Sequence, residues 1–165
     1  MMNIVLLEPE IASNTGNIGR TCLATGTRLH LIEPLGFHLD DKNLKRAGMD
    51  YWKELDVVRY DSFPDFMDKN GNPPVYMATT KAKRSYAEVS YDKDVFIMFG
   101  SEGGGIPEEL LVENEEMCIR IPMRPDIRSL NLANSVAIVL YEALRQNGFE
   151  GFEREGSLHR LEWKS

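Results

Sequence analysis

The sequence predicts an α/β protein whose mostly parallel sheet carries helices on both faces. Three observations lead there. Short apolar runs of strand length alternate with stretches of helical pattern along the chain. Three polar, loop-forming clusters each adjoin a regular element: Asn14-Thr15-Gly16-Asn17-Ile18-Gly19-Arg20, Gly100-Ser101-Glu102-Gly103-Gly104-Gly105-Ile106-Pro107 and Arg128-Ser129-Leu130-Asn131. The third runs into a strongly apolar helix over residues 132–144. With no repeat and no low-complexity linker, the 165 residues are expected to form one domain.

Each element has its own signal. Asn3–Leu7 is apolar enough for a buried strand. Residues 15–25 predict a short helix with Asn14 as N-cap and Gly26 as its stop. Arg28–Ile32 alternates as a strand does, Asn43–Ala47 suits a helical turn, and Val57–Tyr60 suits a short strand. Phe63–Asp68 reads as helical, and Gly71-Asn72-Pro73-Pro74 is a turn. Val75–Thr79, Val95–Phe99 and Met117–Ile121 are strand-like, the last closed by Pro122. Pro107 suits the first position of a helix reaching about Val112. Leu130–Asn147 has the clearest helical pattern, ended by Gly148. In such folds ligands bind at the carboxyl ends of the strands, where these clusters are expected to meet.

The last helix carries an apolar stripe, Ala133, Val136, Ala137, Leu140 and Leu144, widened by Leu132, Ile138 and Val139. That width predicts burial on more than one side. The second cover is a subunit partner, the favoured reading, or the chain's own tail at 149–165, with Phe149, Phe152, Leu158, Leu161 and Trp163.

Composition narrows the function class. The chain is 42% hydrophobic and 27% charged, with a net charge of −7. That balance opposes a general nucleic-acid footprint, but the charges are not evenly spread. Lys42, Lys45, Arg46 and Lys53 form one basic stretch and Lys81, Lys83 and Arg84 another. Acidic residues collect at Glu108, Glu109, Glu113, Glu115 and Glu116. Taken alone, the basic stretches are solvated surface; they matter only beside a site. No run approaches the roughly 20 apolar residues of a membrane span. Met1–Leu7 lacks a basic leader and meets Glu8 and Glu10, so a cytoplasmic protein is expected. Cys22 and Cys118 form no CxxC pair and suit buried, reduced thiols. His30, His38 and His159 have no metal-ligand spacing, and no metal site is expected.

The glycine cluster is neither a phosphate-binding P-loop nor a GxGxxG fingerprint. Its glycines allow close backbone approach to a ligand, and Glu102 suits a ligand hydroxyl, a ligand amine or a cap on the helix that follows it. Ser129 can cap the last helix by itself, which leaves Asn131 without a structural task. Asn14, Asn17 and Arg20 fall three apart, on neighbouring positions of one helix face. That is an exposed polar face or a phosphate and ribose contact. No Ser-His-Asp set, Cys-His pair or paired acids stand out, which favours chemistry by placement of a reactive cofactor.

Together these segments resemble the SPOUT superfamily of RNA methyltransferases. They resemble in particular the short SpoU-type enzymes that methylate the ribose 2′-hydroxyl of the wobble nucleotide in certain tRNAs. NIVLLEPEIASNTGNIGR resembles the first family motif, FGSEGGGIP the second, and IRIPM with RSLNLANSVAIVLYE the third. LIEPLGF and KRAGMDYW are characteristic of the short subfamily. The resemblance implies a C-terminal trefoil knot, with knot and cofactor site over about residues 75–147, and a homodimer. It implies S-adenosylmethionine as cofactor, S-adenosylhomocysteine as product, and the tRNA anticodon loop as substrate. Ala78, Thr79, Gly100, Glu102, Gly105, Ile121, Met123, Ser129 and Leu130 then hold the cofactor. Arg20, Ser129 and Asn131 match catalytic positions, and Asn14, Asn17 and Tyr141 match positions near the substrate. Lys42, Lys45, Arg46 and the 81–84 stretch are candidate RNA contacts. Gly103 and Gly104 stand where some relatives carry an arginine, which bears on substrate grip. Longer relatives add an N-terminal RNA-binding domain, which is not expected here. Ribosomal RNA methylation and a non-catalytic RNA- or nucleotide-binding dimer are the alternatives.

Overall fold

Asn3–Leu7, buried at every position, forms the central strand β1. The computed structural model describes residues 1–46 and 50–164. β1 is flanked in parallel by β2 (Arg28–Ile32) and β5 (Phe96–Phe99), with Asn3 level with both Arg28 and Phe96. β3 (Val57–Tyr60) extends the sheet beyond β2, and β4 (Val75–Ala78) and β6 (Cys118–Ile119) extend it beyond β5. The order is β3-β2-β1-β5-β4-β6, parallel throughout. The chain therefore winds outward one way from β1 and returns on the other side. Ligand crevices open at such a reversal, beyond the carboxyl ends of the strands.

The period-2 alternation of strands sorts the apolar residues onto two faces. Ile4, Leu6, Leu29, Leu31, Ile97 and Phe99 pack with Ile18 and Cys22 of α1 (Ala12–Thr25) and Val136, Val139 and Leu140 of α5 (Leu132–Gln146). Val5, Leu7, Ile32, Met77 and Met98 pack with Phe66 of α3 (Phe63–Lys69) and Leu111 of α4 (Glu108–Glu113) on the other face. Helices thus cover both faces, as expected. α2 (Asp41–Arg46) and a tight helical turn at Asp50–Glu54 lie between β2 and β3. The predicted turn at Asn43–Ala47 is this α2, except that Ala47 lies outside the described residues. Cys22 and Cys118 are both buried and free. Among the described residues no helix is long and apolar enough to cross a membrane.

Several boundaries differ from expectation. α1 begins at Ala12, so Asn14 lies inside its first turn and Ile11 is the N-cap without a side-chain bond. Gly26 does end α1, at φ 62. Pro107 caps α4 instead of starting it. β6 keeps only Cys118 and Ile119 of the expected Met117–Ile121: Met117 belongs to the helical turn Glu115–Met117, and Arg120 makes only an isolated bridge to Ser85. α5 starts at Leu132, and its cap is Asn131, whose side-chain carbonyl oxygen accepts from the Asn134 N–H at 3.2 Å. Ser129 lies upstream of that cap. The task of Asn131 is therefore structural as well.

The far side of α5 is partly covered by the tail, where Phe149 and Phe152 pack on the core and the Phe149 ring lies 6.4 Å from that of Tyr141. Ile138 and Tyr141 stay 37% and 45% exposed, and Leu161 and Trp163 further along the tail are exposed too.

Candidate active site

The site is assembled where β1, β4, β5 and β6 end. After Phe99 the chain turns sharply at Gly100, because a Cβ there would lie 2.1 Å from the Gly105 carbonyl carbon and 2.3 Å from the Ile106 nitrogen. No side chain fits that approach. Gly105, at φ 67, closes the loop by donating its N–H to the Ser101 carbonyl at 2.9 Å. The Ser101 hydroxyl accepts from the Gly104 N–H at 3.1 Å.

Two carboxylates lock this loop to the segment after β1. Glu102 accepts the Glu10 N–H at 2.8 Å and the Ile11 N–H at 3.2 Å. Glu10 in turn accepts the Gly103 N–H at 3.2 Å. Glu102 thereby satisfies donors that the start of α1 leaves without helical partners, and its charge suits a helix N-terminus. Gly103 leaves room for Glu10, since a Cβ there would lie 3.1 Å from its carboxylate.

From Glu102 a chain of side-chain amides crosses the site. The Asn14 amide nitrogen donates to Glu102 at 3.2 Å, and the Asn131 amide nitrogen donates to the Asn14 carbonyl oxygen at 3.0 Å. A carboxylate accepts only and a backbone N–H donates only, so the two ends fix the orientation of both amides. Asn14 is buried, whereas Asn17 and Arg20 are exposed. The three therefore do not form one exposed polar face. Asn14 turns inward and joins the three sequence clusters through side-chain atoms.

A cavity of about 630 Å³ lies against this relay. Ala78, Thr79, Gly100, Glu102, Gly105, Ile121, Met123, Ser129 and Leu130, the nine expected cofactor positions, all line it, as do Asn14 and Asn131. Its wall also includes Ile11, Thr80, Ile106, Arg128 and Leu132, which were not expected as cofactor positions. Arg128 heads the third polar cluster and Ile11 sits in the first motif, so adjacency to the motifs was the available signal.

Arg20, Asn17 and Tyr141 do not line the cavity. The Arg20 turn of α1 is braced from outside: the Tyr51 hydroxyl donates to the Gly16 carbonyl, and Trp52 and Leu55 pack on Gly19. A Cβ at Gly19 would lie 3.0 Å from both of those side chains. Burial raises the Tyr51 hydroxyl pKa, and the neighbouring Arg20 charge opposes that rise. Lys42 and Arg46 lie exposed on α2, and the Lys45 side chain is outside what the structure describes. The basic side chains of the 81–84 stretch are engaged by α4 and the turn after it, two by carboxylates and one by a backbone carbonyl. Lys81 pairs with Glu108 at 3.0 Å, Lys83 pairs with Glu115 at 2.6 Å, and Arg84 donates to the Glu116 carbonyl.

Such a site can place ligands through bare backbone, an apolar wall and oriented amides. Comparison with known proteins agrees with this architecture. The model of the SpoU rRNA Methylase family matches residues 1–141. An Escherichia coli protein named tRNA (cytidine(34)-2'-O)-methyltransferase is 48% identical over 152 residues, covering 92% of this chain and 97% of its own. A solved structure described as giving insight into 2-OH methylation of C/U34 on tRNA is 40% identical, with a TM-score of 0.84, covering 91% of this chain and 98% of the other. The crystal structure of an AdoMet-bound rRNA methyltransferase from Sinorhizobium meliloti is 27% identical with a TM-score of 0.76, covering 87% of this chain and 56% of that one. This chain belongs to the SpoU rRNA methylase family.

Proposed function

We propose that this chain is a tRNA ribose 2′-O-methyltransferase that acts on a wobble-position cytidine or uridine in the anticodon loop, with S-adenosylmethionine as methyl donor. One observation carries the reading: three motif segments distant in sequence share one cavity through the Glu102–Asn14–Asn131 relay. The relative from Escherichia coli, matched over nearly its full length, supports the substrate. The residues present fit the cofactor. Gly100 and Gly105 leave a wall of bare backbone beside apolar Ile106, Ile121 and Leu130, with polar Thr79 and Ser129 across the same space. When bound, S-adenosylmethionine supplies an electrophilic methyl group on a sulfonium, with S-adenosylhomocysteine as product.

What remains for the protein is placement and charge control. Ser129 and Asn131 orient the acceptor ribose at the cavity edge. A guanidinium donates hydrogen bonds and accepts none, so Arg20 steadies developing alkoxide charge or grips the adjacent phosphate and does not abstract the proton. Lys42, Lys45 and Arg46 of α2, with Arg128 at the cavity, meet RNA phosphates. On this reading two chains pair through the exposed α5 residues Ile138 and Tyr141, with Asn17 and Tyr141 near the substrate.

The test is transfer of labelled methyl from S-adenosylmethionine to tRNA lacking this modification, with ribosomal RNA in parallel. The label is expected in a 2′-O-methylated pyrimidine of tRNA. Label in ribosomal RNA alone would overturn the substrate assignment. Cofactor binding without transfer to any RNA would favour a non-catalytic module.

A further inference from the structure

We propose that a second cavity, beside the loop that follows β2, is a stacking subsite for a nucleobase of the RNA strand, with Phe37 as its platform. The proposal rests on the RNA-substrate reading above and extends it to a place no motif assigns.

This cavity, of about 550 Å³, is lined by the 33–40 segment and by Arg59 of β3. It opens at the carboxyl ends of β2 and β3, the same sheet edge as the first cavity, since the Glu33 N–H still donates to the Tyr60 carbonyl at 2.9 Å. The 9–11 segment links the two cavities. Gly36 donates its N–H to the Pro9 carbonyl at 2.9 Å, and a Cβ on Gly36 would lie 2.7 Å from the Glu10 backbone. Glu10 is held on its other side by Glu102, and Ile11 lines the first cavity. On this proposal a strand with one ribose in the first cavity places a neighbouring nucleotide at the second, across the 9–11 segment.

The lining has the chemistry of a base site. Leu35 and Leu39 pack into the core, but Phe37 between them belongs to neither apolar cluster among the described residues. Its ring is half-buried and lines the cavity. Arg59 is held to Glu33 through Nε and Nη2, which directs the guanidinium along the cavity wall. His38 adds an exposed imidazole. The Asp40 carboxylate is occupied by the Asn43 N–H at 2.7 Å and the Asn43 amide at 3.2 Å, so it does not compete for a base edge. An aromatic face flanked by a guanidinium and an imidazole suits a flat ring with hydrogen-bonding edges. RNA recognition commonly places unstacked bases on such faces.

The test is direct binding of a labelled anticodon stem-loop, repeated with single abasic sites on either side of the acceptor nucleotide. Phe37→Ala should weaken binding on the order of tenfold, the usual scale for losing one base-on-aromatic stack. Phe37→Tyr should stay within about twofold of the parent, while Phe37→Leu should bind as poorly as Phe37→Ala. One abasic position should erase the difference between the parent and the Phe37→Ala variant, and the other positions should not. S-adenosylmethionine affinity should be unchanged in the Phe37→Leu and Phe37→Tyr variants. The proposal is overturned if Phe37→Leu binds like the parent, if every abasic RNA shows the same loss, or if cofactor affinity falls along with RNA affinity. If the parent protein binds no anticodon stem-loop, the RNA reading fails as well; normal binding with an indifferent Phe37 sinks only this subsite.

Discussion

Removing the Glu102 carboxylate should disconnect the glycine loop from α1 and cost cofactor affinity, even though its oxygens are taken up by protein donors. Glu102→Ala deletes three hydrogen bonds, from Glu10 N–H at 2.8 Å, Ile11 N–H at 3.2 Å and the Asn14 amide at 3.2 Å. A hydrogen bond to a charged acceptor contributes about 1.5–3 kcal/mol when well formed. The two backbone donors are solvent-accessible, so water replaces part of each, and a total of about 2–3 kcal/mol is the reasonable scale. At about 1.4 kcal/mol per factor of ten, this corresponds to cofactor binding weaker by about 30- to 140-fold if the whole cost falls on the loop. Any share that reaches global stability lowers the melting temperature by about 2–4 °C per kcal/mol for a chain of this size. Calorimetric titration with S-adenosylhomocysteine, alongside thermal melts, separates the two. Asn14→Ala breaks the same relay one step on, so the double variant should lose clearly less than the sum of the singles. Unchanged affinity in Glu102→Ala, or strict additivity with Asn14→Ala, would refute the relay.

Four further outcomes are expected. Gly100→Ala should abolish cofactor binding, because its Cβ would strike backbone of Gly105 and Ile106, whereas Gly104→Ala meets only the Ser101 hydroxyl at 3.3 Å and should retain it in the same titration. Asn131→Ser should keep the helix cap but lose the donor to Asn14, so methyl-transfer rate should fall with little change in melting temperature; Asn131→Ala should lose both, with about 1 kcal/mol of stability. Arg20→Ala should abolish transfer with cofactor affinity intact in parallel rate and titration measurements, and full turnover would contradict its role. His30 gives a pH signature. It is fully buried between Tyr60 and Asn3, at 2.8 and 3.0 Å, and burial lowers its pKa from 6.5 to about 4. The unfolded chain then binds a proton that the folded chain refuses, so stability should decline as pH falls from 6.5 toward 4, by about 3 kcal/mol in all. Urea midpoints across that range should show the decline in the parent and lose the His30 share of it in His30→Gln.

Strands and the long helix were legible because burial imposes periodicity on sequence, and β1, β2, α5 and the Gly26 stop fall close to their expected places. The glycine loop was legible as a loop, since only glycine permits its close approach at Gly100. What Asn14, Glu102 and Asn131 do was not legible. Their bonds span 88 and 117 residues of sequence, and a local pattern assigns such residues to the nearest helix end. The cap accordingly went to Ser129 and to Asn14, when Asn131 caps α5 and Asn14 faces inward. The short β6 escaped for a similar reason: Met117 joins a helical turn with Glu115 and Glu116, and Arg120 exchanges backbone bonds with Arg84 and Tyr86, more than 30 residues earlier. The Lys81 and Lys83 pairings were equally out of view, because their acids, on α4 and in the turn after it, lie 27 and 32 residues further along.

The central claim is that one ribose hydroxyl, on the wobble nucleotide, is the acceptor held at this cavity. It is tested most directly with tRNAs carrying a single 2′-deoxy nucleotide at successive anticodon-loop positions, assayed for methyl transfer by the unmodified protein. The account predicts complete loss of transfer for the 2′-deoxy substitution at the wobble position and near-normal transfer for the others. Transfer that persists with the wobble 2′-hydroxyl absent, or that vanishes for a different position, would contradict it.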